Sequence, residues 1–321
     1  MLFNKVHIER LAPAKLIKFA FVLSCVVAFV VLQINASAQE LVNLKNGVVV
    51  SFSPNSTVQI NGSININSGA TLNQNGQLTI TGDIVNNGSM PLNSGTFTFS
   101  GSADALVSGT AANNYFGSII ISKNGSTAEV RINSSNFDAP NAFLTLTQGI
   151  FRISGSFVFS RIFFSSPNYT INTNSGLWVD NAQVTVLGAN GTITLEGLLR
   201  LTNGTINIGT AAGNDLIYSS TTAQAPRIEI SNGNLNVSGR LSRSANAADS
   251  LQYTQTGGKA TVGTSGSSSA DRGMFDISQT TSTFNWSGGD IELNSGTGCA
   301  DGDFHVLAGS GAVSGNGSLI V

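Results

Sequence analysis

The chain carries little with which to do chemistry. Two cysteines and two histidines occur in 321 residues, and Cys25 and His7 fall in an N-terminal segment read below as a leader, which leaves Cys299 and His305. One cysteine closes no internal disulfide, and one histidine builds no multi-histidine zinc site. Charged residues make up 10% of the chain, against roughly 25% in ordinary soluble domains, so Asn, Ser, Thr, Gln and Gly must cover the surface. The five prolines beyond the leader, Pro54, Pro91, Pro140, Pro167 and Pro226, fall between strand-like runs or at their start, where a missing N–H costs no ladder bond. Beyond the leader, no window of about 11 or more residues has apolar residues at i, i+3, i+4 and i+7, which excludes amphipathic helices there. No Gly-x-x-x-x-Gly-Lys-Ser/Thr phosphate loop, Gly-Gly-x-Gly-x-Asp calcium repeat or nucleophile elbow is present.

Residues 1–38 have the composition of a secretory signal. Lys5, Arg10, Lys15 and Lys18 precede an apolar run from Phe19 to Leu32, and Ala36-Ser37-Ala38 supplies small residues before Gln39. The run is about 14 residues, short of the roughly 20 that a spanning helix needs. Removal of this leader lowers Lys plus Arg from 15 to 11 and Asp plus Glu from 17 to 16. The mature charge is then about −5, which argues against a nucleic-acid partner. No later stretch is long and apolar enough to span a bilayer, so a secreted or outer-surface location is expected.

What is abundant is repetition. The phrase apolar-x-apolar-x-Gly occurs at Val58–Gly62, Leu78–Gly82, Phe97–Gly101, Phe151–Gly155, Ile193–Gly197, Leu235–Gly239 and Phe284–Gly288. The first three copies start at steps of 20 and 19, and Phe151, Ile193 and Leu235 are spaced by 42, twice 21. Between short alternating runs sit Asn-Gly pairs beginning at Asn46, Asn61, Asn75, Asn87, Asn124, Asn190, Asn203, Asn232 and Asn316, residues that accept the left-handed angles of tight corners. A fixed period near 20 with two- to five-residue strands predicts an all-β, right-handed parallel β-helix (solenoid) over residues 39–321, of about 13 turns. A sandwich would not need the period. A second repeat subtype is expected from about residue 246, where Tyr253, Phe275 and Phe284-Asn285-Trp286-Ser287-Gly288-Gly289 change the texture, with Gly263–Ala270 as an exposed loop. Phe97, Phe99, Phe143, Phe151, Phe157 and Phe159 are assigned to the interior.

With these corners and repeats in view, the chain resembles the repeat regions of secreted bacterial parallel β-helix proteins: filamentous-haemagglutinin-like and autotransporter-like adhesins, and cargo of the type IX secretion system. The resemblance implies a stalk or binding surface at the cell exterior, with glycans or surface proteins as partners. Type IX cargo usually carries a C-terminal sorting domain, and none precedes Val321. The apolar ending Leu319-Ile320-Val321 is accordingly expected to continue into further domains or an anchor, or to be covered by a partner.

A parallel β-helix can also be a polysaccharide lyase or glycoside hydrolase, which needs clustered carboxylates. Only Asp290-x-Glu292 and Asp301-x-Asp303 bring two acids together, and each fits a solvated face or turn. Cys299 and His305 fit structural roles, and Asn-x-Ser/Thr triplets such as Asn61-Gly62-Ser63 fit turn chemistry better than glycan attachment. No catalytic, cofactor-binding or metal-ligating residue, and no cofactor, is assigned. The leading expectation is a non-enzymatic surface segment whose contact regions are loops leaving the corners, Ser100–Asn114 and Ser242–Ser269. A carbohydrate-active enzyme using Asp290, Glu292, Asp301 or Asp303 is the alternative.

Overall fold

The computed structural model describes residues 7–10, 40–91, 93–220, 224–267, 269–299 and 302–321. Among them there are many short strands and no helix. Apart from His7–Arg10, the strands pair in parallel and stack as a β-solenoid of about 11 turns. Two compact units, residues 1–159 and 160–321, make up the chain.

In the first unit the first four described turns lay down three strands each, and in the next the second strand is reduced to a single bridge between Tyr115 and Asp138. One ladder contains Glu40–Leu44, Gly62–Ile66, Ile84–Asn86, Ala105–Gly109, Glu129–Ser134 and the last part of Leu144–Ile153. A second contains Val49–Phe52, Thr71–Gln74, Ser89–Met90 and Asn113–Asn114. The third contains Thr57–Ile60, Gln77–Ile80, Thr96–Phe99, Ser118–Ser122 and the start of Leu144–Ile153. Because side chains alternate across a strand, every second residue points inward and like positions stack. Val58, Leu78, Phe97, Ile119 and Leu144 form one such column.

The six phenylalanines assigned to the interior are all buried, joined there by Phe116 and Phe137. Phe97 packs on Phe116 at 4.7 Å, Phe116 on Phe137 at 5.4 Å and Phe137 on Phe159 at 5.0 Å between ring centroids. Amides hold the corners. Asn86 Nδ2 donates to Asn114 Oδ1 at 3.1 Å, and Asn114 Nδ2 donates in turn to Ser134 Oγ at 3.2 Å and to the Asn136 carbonyl at 2.8 Å. One amide thus satisfies groups of neighbouring turns where the chain leaves the ladder.

The second unit has one ladder of short strands, Tyr169–Ile171, Ile193–Leu195, Leu216–Tyr218, Leu241–Arg243, Phe275–Ile277 and Phe304–Val306. Four of its other strands are long and bent, Ser175–Leu187, Leu198–Ile208, Gln252–Val262 and Thr283–Leu293, and one turn splits the same path into Arg227–Ile230 and Asn234–Val237. Each bent strand spans two faces. Residues beyond Leu251 continue the same ladders, with Tyr253 stacked on Phe284 at 5.3 Å and Phe275 on Phe304 at 5.2 Å.

A column of glycines makes the bend. Gly204, Gly233, Gly258 and Gly289 have φ of 82°, 83°, 67° and 79°, and a Cβ on Gly258 would lie 2.6 Å from the Gly233 carbonyl oxygen. The backbones therefore meet where any side chain would stand, and the left-handed angle disfavours an L residue independently. This explains the Asn203-Gly204, Asn232-Gly233, Gly257-Gly258 and Gly288-Gly289 pairs as one structural position.

Three expectations are corrected. The doubled spacing from Phe151 to Ile193 to Leu235 is not a structural period. Ile193, stacked between Tyr169 and Leu216, lies in a different ladder from Leu235, stacked between Ile206 and Ala260, and from Phe151, stacked on Val130 in the first unit. Turns in the second unit vary instead, with Leu177, Leu199, Ile228, Tyr253 and Phe284 in register at steps of 22, 29, 25 and 31. Longer turns lower the count from about 13 to about 11. The contact regions Ser100–Asn114 and Ser242–Ser269 are not loops: Ala105–Gly109, Asn113–Asn114 and Gln252–Val262 are ladder strands within them. Residues outside strands there are confined to 100–104, 110–112, 244–251 and the stretch after Val262.

Of the proposed leader only His7–Arg10 is described, and it runs antiparallel to Glu40–Asn43; the rest of the 1–38 assignment lies outside the described residues. No helix among the described residues is long and apolar enough to cross a membrane.

The glycine column predicts an asymmetry. Gly258→Ala should destabilise the protein by about 1–3 kcal/mol, whereas Gly125→Ala, where an added Cβ meets nothing within 4 Å, should stay within about 0.5 kcal/mol of the parent. Thermal melts of the two variants provide the comparison, and equal losses would remove the steric account of the bend.

Candidate functional site

The acids singled out in the sequence do not assemble into a site. Asp290 and Glu292 share the outer face of strand Thr283–Leu293, opposite Lys259 and Thr261 of the preceding turn. Glu292 Oε2 lies 2.5 Å from Lys259 Nζ and accepts from Thr261 Oγ1 at 3.3 Å. The Lys259 ammonium holds the Glu292 carboxyl below the usual range, the opposite of what a general acid needs. Asp303 is a loop anchor, its Oδ1 accepting from the Thr297 amide at 2.6 Å and from Thr297 Oγ1 at 2.9 Å. Asp301 lies outside the described residues. Cys299 is half-buried.

A cluster that spacing alone did not reveal surrounds Asp276. His305 is directly in register with Asp276 on the next turn, and its Nδ1 lies 3.0 Å from Asp276 Oδ1. Ser278 Oγ donates to Asp276 Oδ2 at 3.1 Å, and Arg272 Nη1 lies 3.5 Å from the same oxygen. The carboxylate is buried, so a histidine, a hydroxyl and a guanidinium replace the water it has lost. The hydroxyl of Tyr218, pushed up in pKa by burial and then by Asp276, makes no well-formed hydrogen bond. Asp276 and His305 are distant in sequence, and only the length of the turn between them places them together.

Two further groups have the same origin. Arg240 donates from Nη2 to Asp215 Oδ2 at 3.0 Å, its backbone amide donates to Asp215 Oδ1 at 2.7 Å, and its Nη1 reaches Asp271. Both Arg240 and Asp215 are buried, and the link to Asp271 ties down the loop after Val262. On the outer face, Trp178 and Arg200 are register partners, and the guanidinium carbon sits 4.6 Å from the indole centroid. That distance is close to the spacing of neighbouring strands, about 4.8 Å, so the two side chains stack side by side rather than across a cleft. Arg200 Nε then donates to Glu229 Oε2 on the next turn at 2.6 Å.

Neutral rows behave likewise. Asn232 Nδ2 donates to Asn203 Oδ1 at 3.1 Å and Asn236 Nδ2 to Asn207 Oδ1 at 2.9 Å. Among the described residues, no group of three or more His, Cys, Asp or Glu side chains is arranged to hold a metal ion. Compared with protein-family models, curated proteins and solved structures, the chain shows no match.

One buried cation lacks such a register partner. Lys123 is almost wholly buried at a corner of the first unit, with Nζ donating to the Ser100 carbonyl at 2.6 Å. Burial lowers its pKa, opposed by Asp104 and Asp83.

Arg240→Met strands the buried Asp215 and should cost about 3–5 kcal/mol, much of it restored by adding Asp215→Leu, measured by denaturant unfolding of the single and double variants. Lys123→Met should stabilise the protein at neutral pH. Between its lowered folded pKa and 10.5, the unfolded chain keeps the Lys123 proton that the folded chain has lost, so wild-type stability gains with rising pH there and the variant's advantage should shrink. Melting curves at pH 7 and pH 10 test the sign.

Proposed function

We propose that this chain is a secreted, non-enzymatic β-solenoid that serves at the outer cell surface as a structural and display segment, contacting glycans or surface proteins. The observation that carries this reading is the way the outer side chains are used. Arg200 with Glu229, Lys259 with Glu292, and Asn207 with Asn236 each bind the neighbouring turn. Such pairing supports a scaffold, whereas a catalytic carboxylate must be free to exchange protons with a substrate. The leader composition supports export, and the low charge and mature balance of about −5 support partners other than nucleic acid.

The test is expression of the full chain in a secreting bacterial host, followed by N-terminal sequencing of the released protein and a screen against neutral and acidic polysaccharides for binding and turnover. Export with a new N-terminus at Gln39, and binding without bond cleavage, are the expected results. Polysaccharide turnover abolished by Glu292→Gln, Asp303→Asn or Asp276→Asn would replace the scaffold with an enzyme. Retention of the uncleaved chain in the cytoplasm would remove the surface assignment.

A further inference from the structure

The nine Asn-Gly corners are not equivalent. At Gly76, Gly88, Gly191, Gly204, Gly233 and Gly317 an added Cβ would come within 2.5 Å of a neighbouring atom, most often a carbonyl of the adjacent turn. Gly47 donates its amide to the Gly69 carbonyl at 3.0 Å, and Gly62 is held in the ladder opposite Glu40. Asn75 and Asn87 have their side-chain oxygens engaged by Ser94 and Thr110.

Asn124-Gly125 differs in each respect. It lies in the corner between strands Ser118–Ser122 and Glu129–Ser134, Asn124 is exposed, and a Cβ on Gly125 would meet nothing within 4 Å. The Asn124 amide is fixed to the Gly101 carbonyl at 2.9 Å, and the Gly125 carbonyl accepts from Ala128 at 3.3 Å. The Gly125 N–H and the Asn124 side chain have no hydrogen-bond partner among the described residues.

We propose that Asn124 is a site of spontaneous covalent modification, at which the native fold permits the deamidation that it suppresses at the other Asn-Gly corners. The Gly125 backbone nitrogen attacks Asn124 Cγ, forming the N–Cγ bond of a five-membered succinimide. The Cγ–Nδ2 bond breaks, and the displaced nitrogen leaves as ammonia with the proton given up by the Gly125 amide. Water then opens the ring at either carbonyl, giving aspartate or isoaspartate at position 124. The reaction needs the Gly125 nitrogen unbonded and the backbone free to swing toward Cγ. A corner pressed against its neighbour must first open locally, and that opening free energy slows it. The product carries a new carboxylate beside the buried Lys123, so the folded population becomes mixed in charge with age.

The experiment is incubation of the full chain at 37 °C and mildly alkaline pH, folded and in denaturant, with peptide mapping by mass spectrometry and enzymatic isoaspartate detection. In denaturant the nine sites should convert at comparable rates. In the folded chain Asn124 should convert within about threefold of its denatured rate, and the other eight should fall at least about tenfold behind theirs. Gly125→Ala, which the open corner tolerates, should slow conversion at 124 without lowering the melting temperature. Asn124→Gln should abolish the first product to appear. Protection of Asn124 equal to that of the other corners, or earlier conversion of any other Asn-Gly pair in the folded chain, overturns the proposal.

Discussion

Register between successive turns is the constraint from which the rest of this structure follows. Parallel strands one turn apart place each residue about 4.8 Å from its counterpart above and below, so a position is chosen jointly with its column. Inside, the column Val58, Leu78, Phe97, Ile119, Leu144 keeps every member apolar. At the bends, the column Gly204, Gly233, Gly258, Gly289 keeps every member without a side chain. A single turn would gain little from either arrangement, because half of each contact belongs to its neighbour.

The same constraint accounts for the scarcity of charge. A charged residue repeated down an outer column would face its own kind at strand spacing, which is unfavourable. Neutral amides and hydroxyls avoid the problem, since Asn both donates and accepts and can bond its own copy, as Asn207 and Asn236 do. Where charges occur, they are largely matched with the opposite sign on an adjacent turn: Arg200 with Glu229, Lys259 with Glu292, Arg240 with Asp215. Arg131 and Arg152 are like charges in direct register, and there Glu129 reaches Arg152 at 3.5 Å.

How much of this could be read beforehand depended on whether the information was local. The apolar-x-apolar runs, the Asn-Gly corners and the first two steps of the repeat are local, and Val58, Leu78 and Phe97 do stack as those steps require. The later, doubled steps misled because corner insertions change the turn length without changing the strand phrase. Ile193 and Leu235 look alike as sequence yet lie on different faces. For the same reason Asp276 and His305 could not be joined from sequence. Their pairing depends on the length of the turn between them, in which Asp303 is held by Thr297. The Asp290 and Glu292 pair was visible as two acids on one strand face, but the partners that occupy Glu292, Lys259 and Thr261, come from the preceding turn and are joined to it only through register.

A surface whose polar groups bind one another is a poor general adhesive. Any ligand that hydrogen-bonds to the Asn203 and Asn232 row, or to the Arg200 and Glu229 pair, must first break contacts that already satisfy those groups, and the net gain of the exchange is small. The display role proposed above therefore favours places where the columns are interrupted. The stretch after Val262 is one such place. It spans 263–274 between strands Gln252–Val262 and Phe275–Ile277, and it makes the step from Leu241 to Phe275 the longest in its ladder. Asp271, its link to Arg240, fixes the base of this insertion while its side chain stays 62% exposed. Regular columns thus use up their own polar groups in bonds between turns, whereas the insertion that breaks the period leaves a carboxylate side chain largely exposed.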